Sequence, residues 1–282
     1  MYTETVDLYK YFNVKRKKGA SGYLTLYVSK NSPEINLKRK RPAMLIIPGG
    51  AYQIVSDREK EPIALKFLAE GYNCFCLDYS VKTFSYPTQL IEGAMALAYI
   101  RLNAEELVID PEHVCAVGFS AGGHLTACLA TIFDDDAIVK TLKENAKLVR
   151  PDAVILSYPV ITSEEKYWHK TTIETVTQGK KSLLSKLSPE KQVRKDSSPA
   201  FIWHTREDGG VNVFNSILMA SAYAEHGVSF DLHIYDRGPH GLGLATKETA
   251  PYDNNKYNNK CASTWVRLAC NWLETRGFTI ID

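Results

Sequence analysis

The run Ala43–Ile47 contains no polar side chain and stops at Pro48-Gly49-Gly50. A strand with one face in water alternates polar and apolar residues, so an unbroken apolar run implies a strand covered on both faces. Asn73–Leu77, Val114–Val117, Ala153–Leu156, Phe201–His204 and Phe230–Tyr235 read as further strands. Helical spacing separates them at Glu61–Ala69, Gln89–Asn103, Val213–His226 and Ser263–Thr275, and another helix starts straight after Ser120 and runs to about Ala130. Strands and helices in alternation predict a mostly parallel sheet with helices on both faces. The chemistry of such a sheet belongs at the carboxyl ends of its strands. Two short strands, Thr5–Phe12 and Tyr23–Ser29, come first and bring the expected sheet to eight strands.

Ile161–Ser198 breaks this rhythm. It is rich in Lys, Ser and Thr and holds Tyr167-Trp168-His169. It reads as a cap-like insertion at about 161–198 in one domain of 282 residues, a size that buries a full core. Within it, Trp168 is a candidate for the wall of a substrate pocket.

Composition closes off several function classes. With 45% hydrophobic and 23% charged residues and a formal charge of +2, nothing favours nucleic acid or an anionic membrane. The basic runs Lys15–Lys18 and Lys38–Arg41 stand without a second cluster or interleaved aromatics and read as solvated turns. The first seven residues carry two acids and no apolar run, unlike a secretory signal, so a cytoplasmic location is expected. The six cysteines sit in strands and on helix faces without metal-ligand spacing. They read as small core residues, and no metal is expected.

Gly118-Phe119-Ser120-Ala121-Gly122 follows a buried strand and opens a helix. This is the G-x-S-x-G nucleophile elbow: a tight turn lifts the serine hydroxyl clear of the backbone, and the residues two before and two after must be small. The helix start also turns free N–H groups and a positive dipole toward a developing oxyanion. The earlier strand runs into Pro48-Gly49-Gly50-Ala51-Tyr52, placed where esterases carry a glycine loop whose backbone N–H groups hold that oxyanion. By position the donors are Gly50, Ala51 and Ala121, and Tyr52 is a candidate for the acyl pocket.

Ser120 needs a base and an acid. Of the seven histidines, His240 alone follows the last strand, in the loop Arg237-Gly238-Pro239-His240-Gly241. His113 is expected at the surface, His124 as a structural residue in the elbow helix, and His204 as a hydrogen-bonded strand-end residue. The acid belongs after the strand Phe201–His204, where Glu207 and Asp208 both qualify.

Pro48–Tyr52, Gly118–Leu125, Leu156-Ser157-Tyr158-Pro159-Val160-Ile161, Pro199–Asp208 with Val211, and Gly238–Leu244 occur in one order across most of the chain. In these pieces the sequence resembles the bacterial acetylesterase and acetyl-xylan-esterase-like branch of the α/β-hydrolases, near the hormone-sensitive-lipase-like esterases. The resemblance implies an α/β-hydrolase fold, the triad Ser120, Asp208 and His240, and removal of acetyl or other short acyl groups, often from sugars, without a cofactor. It favours Asp208 over Glu207. The chain departs from the family at Ala51, where glycine is usual, and at Val211-Asn212, where Val-Pro is frequent. The expected partner is a small-molecule ester, an acetylated sugar among the candidates, and a homodimer is compatible with the sequence. Rival readings are an aryl-formamidase-type amidase, a peptidase, and a non-catalytic binding module on a hydrolase fold.

Overall fold

The computed structural model describes residues 1–252 and 254–282. Its sheet has eight strands: β1 (Tyr2–Asp7), β2 (Tyr23–Val28), β3 (Arg41–Ile47), β4 (Asn73–Asp78), β5 (Ile109–Phe119), β6 (Ala153–Ser157), β7 (Ala200–Thr205) and β8 (Phe230–Tyr235). The spatial order is β1-β2-β4-β3-β5-β6-β7-β8. β1 and β2 run antiparallel to their neighbours, and the pairings from β4 to β8 are parallel. From β3 the chain steps to β4 on one side and then crosses to β5 on the other. The crevice at the carboxyl ends of β3 and β5 is therefore the point where the winding reverses, the usual seat of a ligand in such sheets.

The apolar run in β3 is explained by two cores. Ala43, Leu45 and Ile47 pack with α3 (Thr88–Leu102), α4 (Ala121–Thr131) and α7 (Phe214–Glu225) on one face. Met44 and Ile46 pack with α2 (Glu61–Ala69) and α8 (Trp265–Glu274) on the other. All six cysteines are free thiols, and four of them are buried. No helix among the described residues is long and apolar enough to cross a membrane.

Three local expectations need correction. The strand expected at Thr5–Phe12 ends at Asp7, and Leu8–Tyr11 turns into a short helix, α1. Asp7 caps it by accepting from the Lys10 N–H at 3.0 Å, and the turn buries Leu8 and Tyr9, which an extended chain would place on opposite faces. His113 is half-buried, with Nδ1 2.6 Å from Asp110 Oδ2 and its ring edge-on to Phe278. The segment 161–198 contains a helix not visible in the sequence, α6 (Lys170–Thr177), as does the stretch before β6, with α5 (Asp136–Leu142). Residues 170–177 include six β-branched side chains of low helix propensity, and the helix stands because Ile173 and Val176 are buried against the body.

Contacts fasten the 161–198 segment along its length. Tyr86 N–H donates to the Val176 carbonyl at 3.0 Å, and Gln53 Nε2 donates to Thr175 Oγ1 at 2.7 Å. Lys186 Nζ lies 2.6 Å from the buried carboxylate of Asp135.

Candidate active site

Ser120 stands between β5 and α4 with φ 53°. A non-glycine residue in that region stores about 1–3 kcal/mol of strain and persists only when its surroundings enforce it. Here the Ser120 N–H donates to the Ser157 carbonyl, and the Ser120 carbonyl accepts from the N–H groups of Val160 and His124. The flanking glycines are required by close approach. A Cβ at Gly118 would overlap Thr126 Oγ1 and the Gly122 carbonyl, and one at Gly122 would overlap the carbonyls of Ile47 and Pro48.

The loop after β8 brings His240 to the serine. Its Nε2 lies 2.8 Å from Ser120 Oγ and its Nδ1 2.7 Å from Asp208 Oδ2. Asp208 Oδ1 accepts from the N–H groups of Gly210 and Val211, each at 2.8 Å. With Oδ2 facing the imidazole, the acid requires Nδ1 of His240 to carry the proton and leaves Nε2 as acceptor for the serine hydroxyl. Burial would raise the Asp208 pKa, but hydrogen bonds from His204 and His240 hold it well below the usual carboxylate range.

His204 is fully buried. Its Nε2 donates to the Val211 carbonyl at 3.0 Å and lies 3.2 Å from Asp208 Oδ2, while Nδ1 accepts from Ser216 Oγ at 2.8 Å. It braces the Asp208 loop from behind and does not reach Ser120.

Three backbone N–H groups near Ser120 are without a partner among the described residues. Among the described residues, none accepts a hydrogen bond from the N–H of Gly50, Ala51 or Ala121, and Gly50 and Ala51 line the cleft that holds Ser120 and His240. Ala51 has φ 55°, a left-handed conformation that explains why glycine is usual at this place. The arrangement can polarise a carbonyl set over Ser120 Oγ.

Residues 26–223, well over half of the chain, match the BD-FAE family. The chain belongs to this family. Its fold is that of the α/β-hydrolases. This BD-FAE chain is 40% identical over 216 residues to endo-1,4-beta-xylanase B of Butyrivibrio fibrisolvens, a match covering 74% of the chain and 34% of that protein. It is 29% identical to an acetylxylan esterase of Xylanibacter ruminicola over 72% of the chain and 42% of that protein. It thus spans about a third to two fifths of the length of these curated relatives. Among solved structures, the acetyl ester-xyloside bifunctional hydrolase of Caldicellulosiruptor lactoaceticus superposes with a TM-score of 0.78 at 31% identity, covering 91% of this chain and 89% of that one. A carboxylesterase of Lactobacillus plantarum superposes over both full lengths with a TM-score of 0.83 at 26% identity.

Ser120, Asp208, His240, Gly50, Ala51 and Ala121 thus lie together in the BD-FAE chain, whereas the two residues expected against substrate lie elsewhere. Tyr52 is buried beneath the glycine loop, and its hydroxyl reaches His124 Nδ1 at 2.9 Å; its positive φ of 58° carries the side chain under the loop. Trp168 packs on Val160, Ile173 and Val211. Its neighbour His169 lines the cleft instead, with Nδ1 2.8 Å from Thr172 Oγ1. Burial first, and then the nearby His240, lower the His169 pKa against an opposing pull from Asp208. Gln53, Ser56, Arg58 and Glu59 complete that wall. They follow the glycine loop within ten residues, and that nearness was their one signal in the sequence. Among the described residues, no group of three or more His, Cys, Asp or Glu side chains is placed to hold a metal.

His124 is buried in α4 with Nε2 donating to the Leu187 carbonyl at 2.8 Å, so Nδ1 accepts from Tyr52. Burial holds its pKa down to about 4, against 6.5 in the open. Between about pH 6.5 and 4 the unfolded chain takes up a proton that the folded chain refuses, so stability falls with falling pH, by about 1.4 kcal/mol per unit. Urea unfolding at pH 7 and pH 5 is expected to show this loss, and His124→Gln is expected to lose less over the same interval. Equal losses in the two proteins would remove His124 as the source.

Proposed function

We propose that the protein is a serine esterase that hydrolyses short-chain acyl esters, acetyl esters foremost, through an acyl-enzyme. The observation that carries this reading is the hydrogen-bonded series Ser120–His240–Asp208 beside three backbone N–H groups without an internal acceptor. Ser120 Oγ attacks the ester carbonyl as His240 Nε2 takes its proton. The N–H groups of Gly50, Ala51 and Ala121 hold the oxyanion, each donor contributing on the order of 3 kcal/mol. His240 then gives the proton to the departing alcohol. Water, deprotonated by the same imidazole, attacks the acyl-enzyme; the acid leaves as the Oγ–acyl bond breaks and His240 returns the proton to Ser120 Oγ.

The alcohol leaves over His240, so the residues gathered around that ring meet it. The cleft, about 420 Å³, is walled by Gln53, Ser56, Arg58 and His169, with Ile54 its one large aliphatic side chain. Such a wall sets several hydrogen-bonding side chains around one aliphatic one, which suits a polyhydroxylated alcohol. The relatives named for acetylxylan and acetyl ester-xyloside agree with an acetylated sugar.

A series of p-nitrophenyl esters of increasing acyl length, set beside acetylated xylo-oligosaccharides and formyl-kynurenine, tests the proposal. Turnover is expected to peak at acetyl and to extend to the acetylated sugar. Faster cleavage of the formyl amide would favour the amidase. Failure of a fluorophosphonate to label Ser120 would leave only a binding module.

A further inference from the structure

Glu59 is a buried carboxylate with no part in the steps above. It ends a short helical turn, Asp57–Glu59, that follows the glycine loop. Its neighbour Asp57 points to solvent, whereas Glu59 is 3% exposed. Among the described residues no cation lies within ion-pair distance of it. Adjacent Arg58 is turned instead to the carbonyls of Gly241 and Thr249. A buried carboxylate without a counter-charge is costly unless its hydrogen bonds are complete.

Those bonds join two catalytic loops. Glu59 Oε2 accepts from the Gly49 N–H at 2.8 Å, at the root of the glycine loop. Oε1 accepts from the Tyr158 hydroxyl at 2.6 Å. Tyr158 Oη in turn accepts from the Gly243 N–H at 2.8 Å, three residues beyond His240. Because Oη accepts from the Gly243 N–H, its own proton has, among the described residues, only Glu59 as acceptor. The Tyr158 ring stands edge-on to the His240 imidazole, with centroids 5.2 Å apart. At Gly49 there is no room for a side chain: a Cβ would come within 2.8 Å of Glu59 Oε2 and the Phe119 carbonyl, and within 3.0 Å of Ser120 Cβ.

We propose that Glu59 is a positioning residue which, through Gly49 and Tyr158, holds the oxyanion loop and the histidine loop at a fixed separation across Ser120. This inference rests on the serine-esterase reading. A donor that stabilises an oxyanion works only where it meets the tetrahedral oxygen, so loosening this link costs transition-state binding and spares substrate binding.

Glu59→Gln tests it, because the amide nearly keeps the shape but has one accepting oxygen for two donors. Active sites are counted by fluorophosphonate titration, and kcat for p-nitrophenyl acetate is expressed per titrated site. A drop of roughly 10- to 100-fold in kcat is expected with KM within about twofold of wild type. Affinity for an alkylboronic acid, which forms a tetrahedral adduct on the serine, is expected to fall by the same factor as kcat/KM. Tyr158→Phe keeps the Gly49 contact and breaks the other, so a smaller loss with the same split is expected; it decides the matter if Glu59→Gln does not fold. Unchanged kcat per titrated site in the folded variants, or a loss confined to KM, would overturn the role of Glu59. Absence of Ser120 labelling in the wild-type protein would overturn the underlying function instead.

Discussion

Ser120→Ala is expected to lower kcat for p-nitrophenyl acetate by roughly 10⁴- to 10⁶-fold and to leave the melting temperature within a few degrees of wild type. The hydroxyl makes one polar contact, with His240 Nε2, so its removal leaves an imidazole edge that the cleft can hydrate. The backbone bonds from the Ser120 N–H to the Ser157 carbonyl, and from the Val160 and His124 N–H groups to the Ser120 carbonyl, remain and keep the turn in place. Alanine bears the same φ penalty as serine, so the elbow neither gains nor loses strain. Binding and the N–H groups at Gly50, Ala51 and Ala121 survive, which accounts for a small residual rate over water. Circular dichroism and a stopped assay on the same preparation check both halves. A variant that keeps its fold and most of its activity would remove Ser120 as nucleophile.

Asp208→Asn is expected to cost about 10⁴-fold in kcat near neutral pH while the protein still folds. The reason lies in the surroundings of the carboxylate. Two N–H groups, those of Gly210 and Val211, both point at Oδ1, so an amide in this place keeps its oxygen there and turns its NH₂ toward His240. A donor then faces Nδ1, which must become the acceptor, and the proton moves to Nε2, the atom that has to receive the serine proton. His204 Nε2, 3.2 Å from Oδ2, presents a second donor to the same NH₂ and sharpens the conflict. Asp208→Ala lacks the reversed amide and is expected to be no worse than Asp208→Asn. A plainly more active Asn variant would mean that the acid acts through its shape rather than through the tautomer of His240.

Much of the fold was legible because it rests on local chemistry. Ala43–Ile47, the body of β3, has no polar residue to spare for solvent, so a strand buried on both faces was the available reading, and the parallel sheet followed from the alternation around it. The limits of α2 agree with the sequence because the helical spacing at Glu61–Ala69 is backed by an apolar face of Ile63 and Phe67. α6 was hidden for the opposite reason: its β-branched composition argues against a helix, and the burial of Ile173 and Val176 that supports it comes from distant parts of the chain.

The candidate site divides along the same line. By itself the sequence determined a covered parallel sheet, a serine on a strand-to-helix turn, a glycine loop at a neighbouring strand end, and the strand ends from which a histidine and an acid would have to come. Each of these is a matter of residue type at short spacing, set by sterics and backbone hydrogen bonding. Only the tertiary structure decided which side chains face the cleft. It turned Tyr52 under the glycine loop, set Trp168 against Val160 and Ile173, and left His169 beside His240. It also brought Glu59, Tyr158 and Gly243 together from positions as far as 184 residues apart in sequence. No spacing rule foretells such meetings, because they depend on how loops from separate strands pack once the sheet has formed.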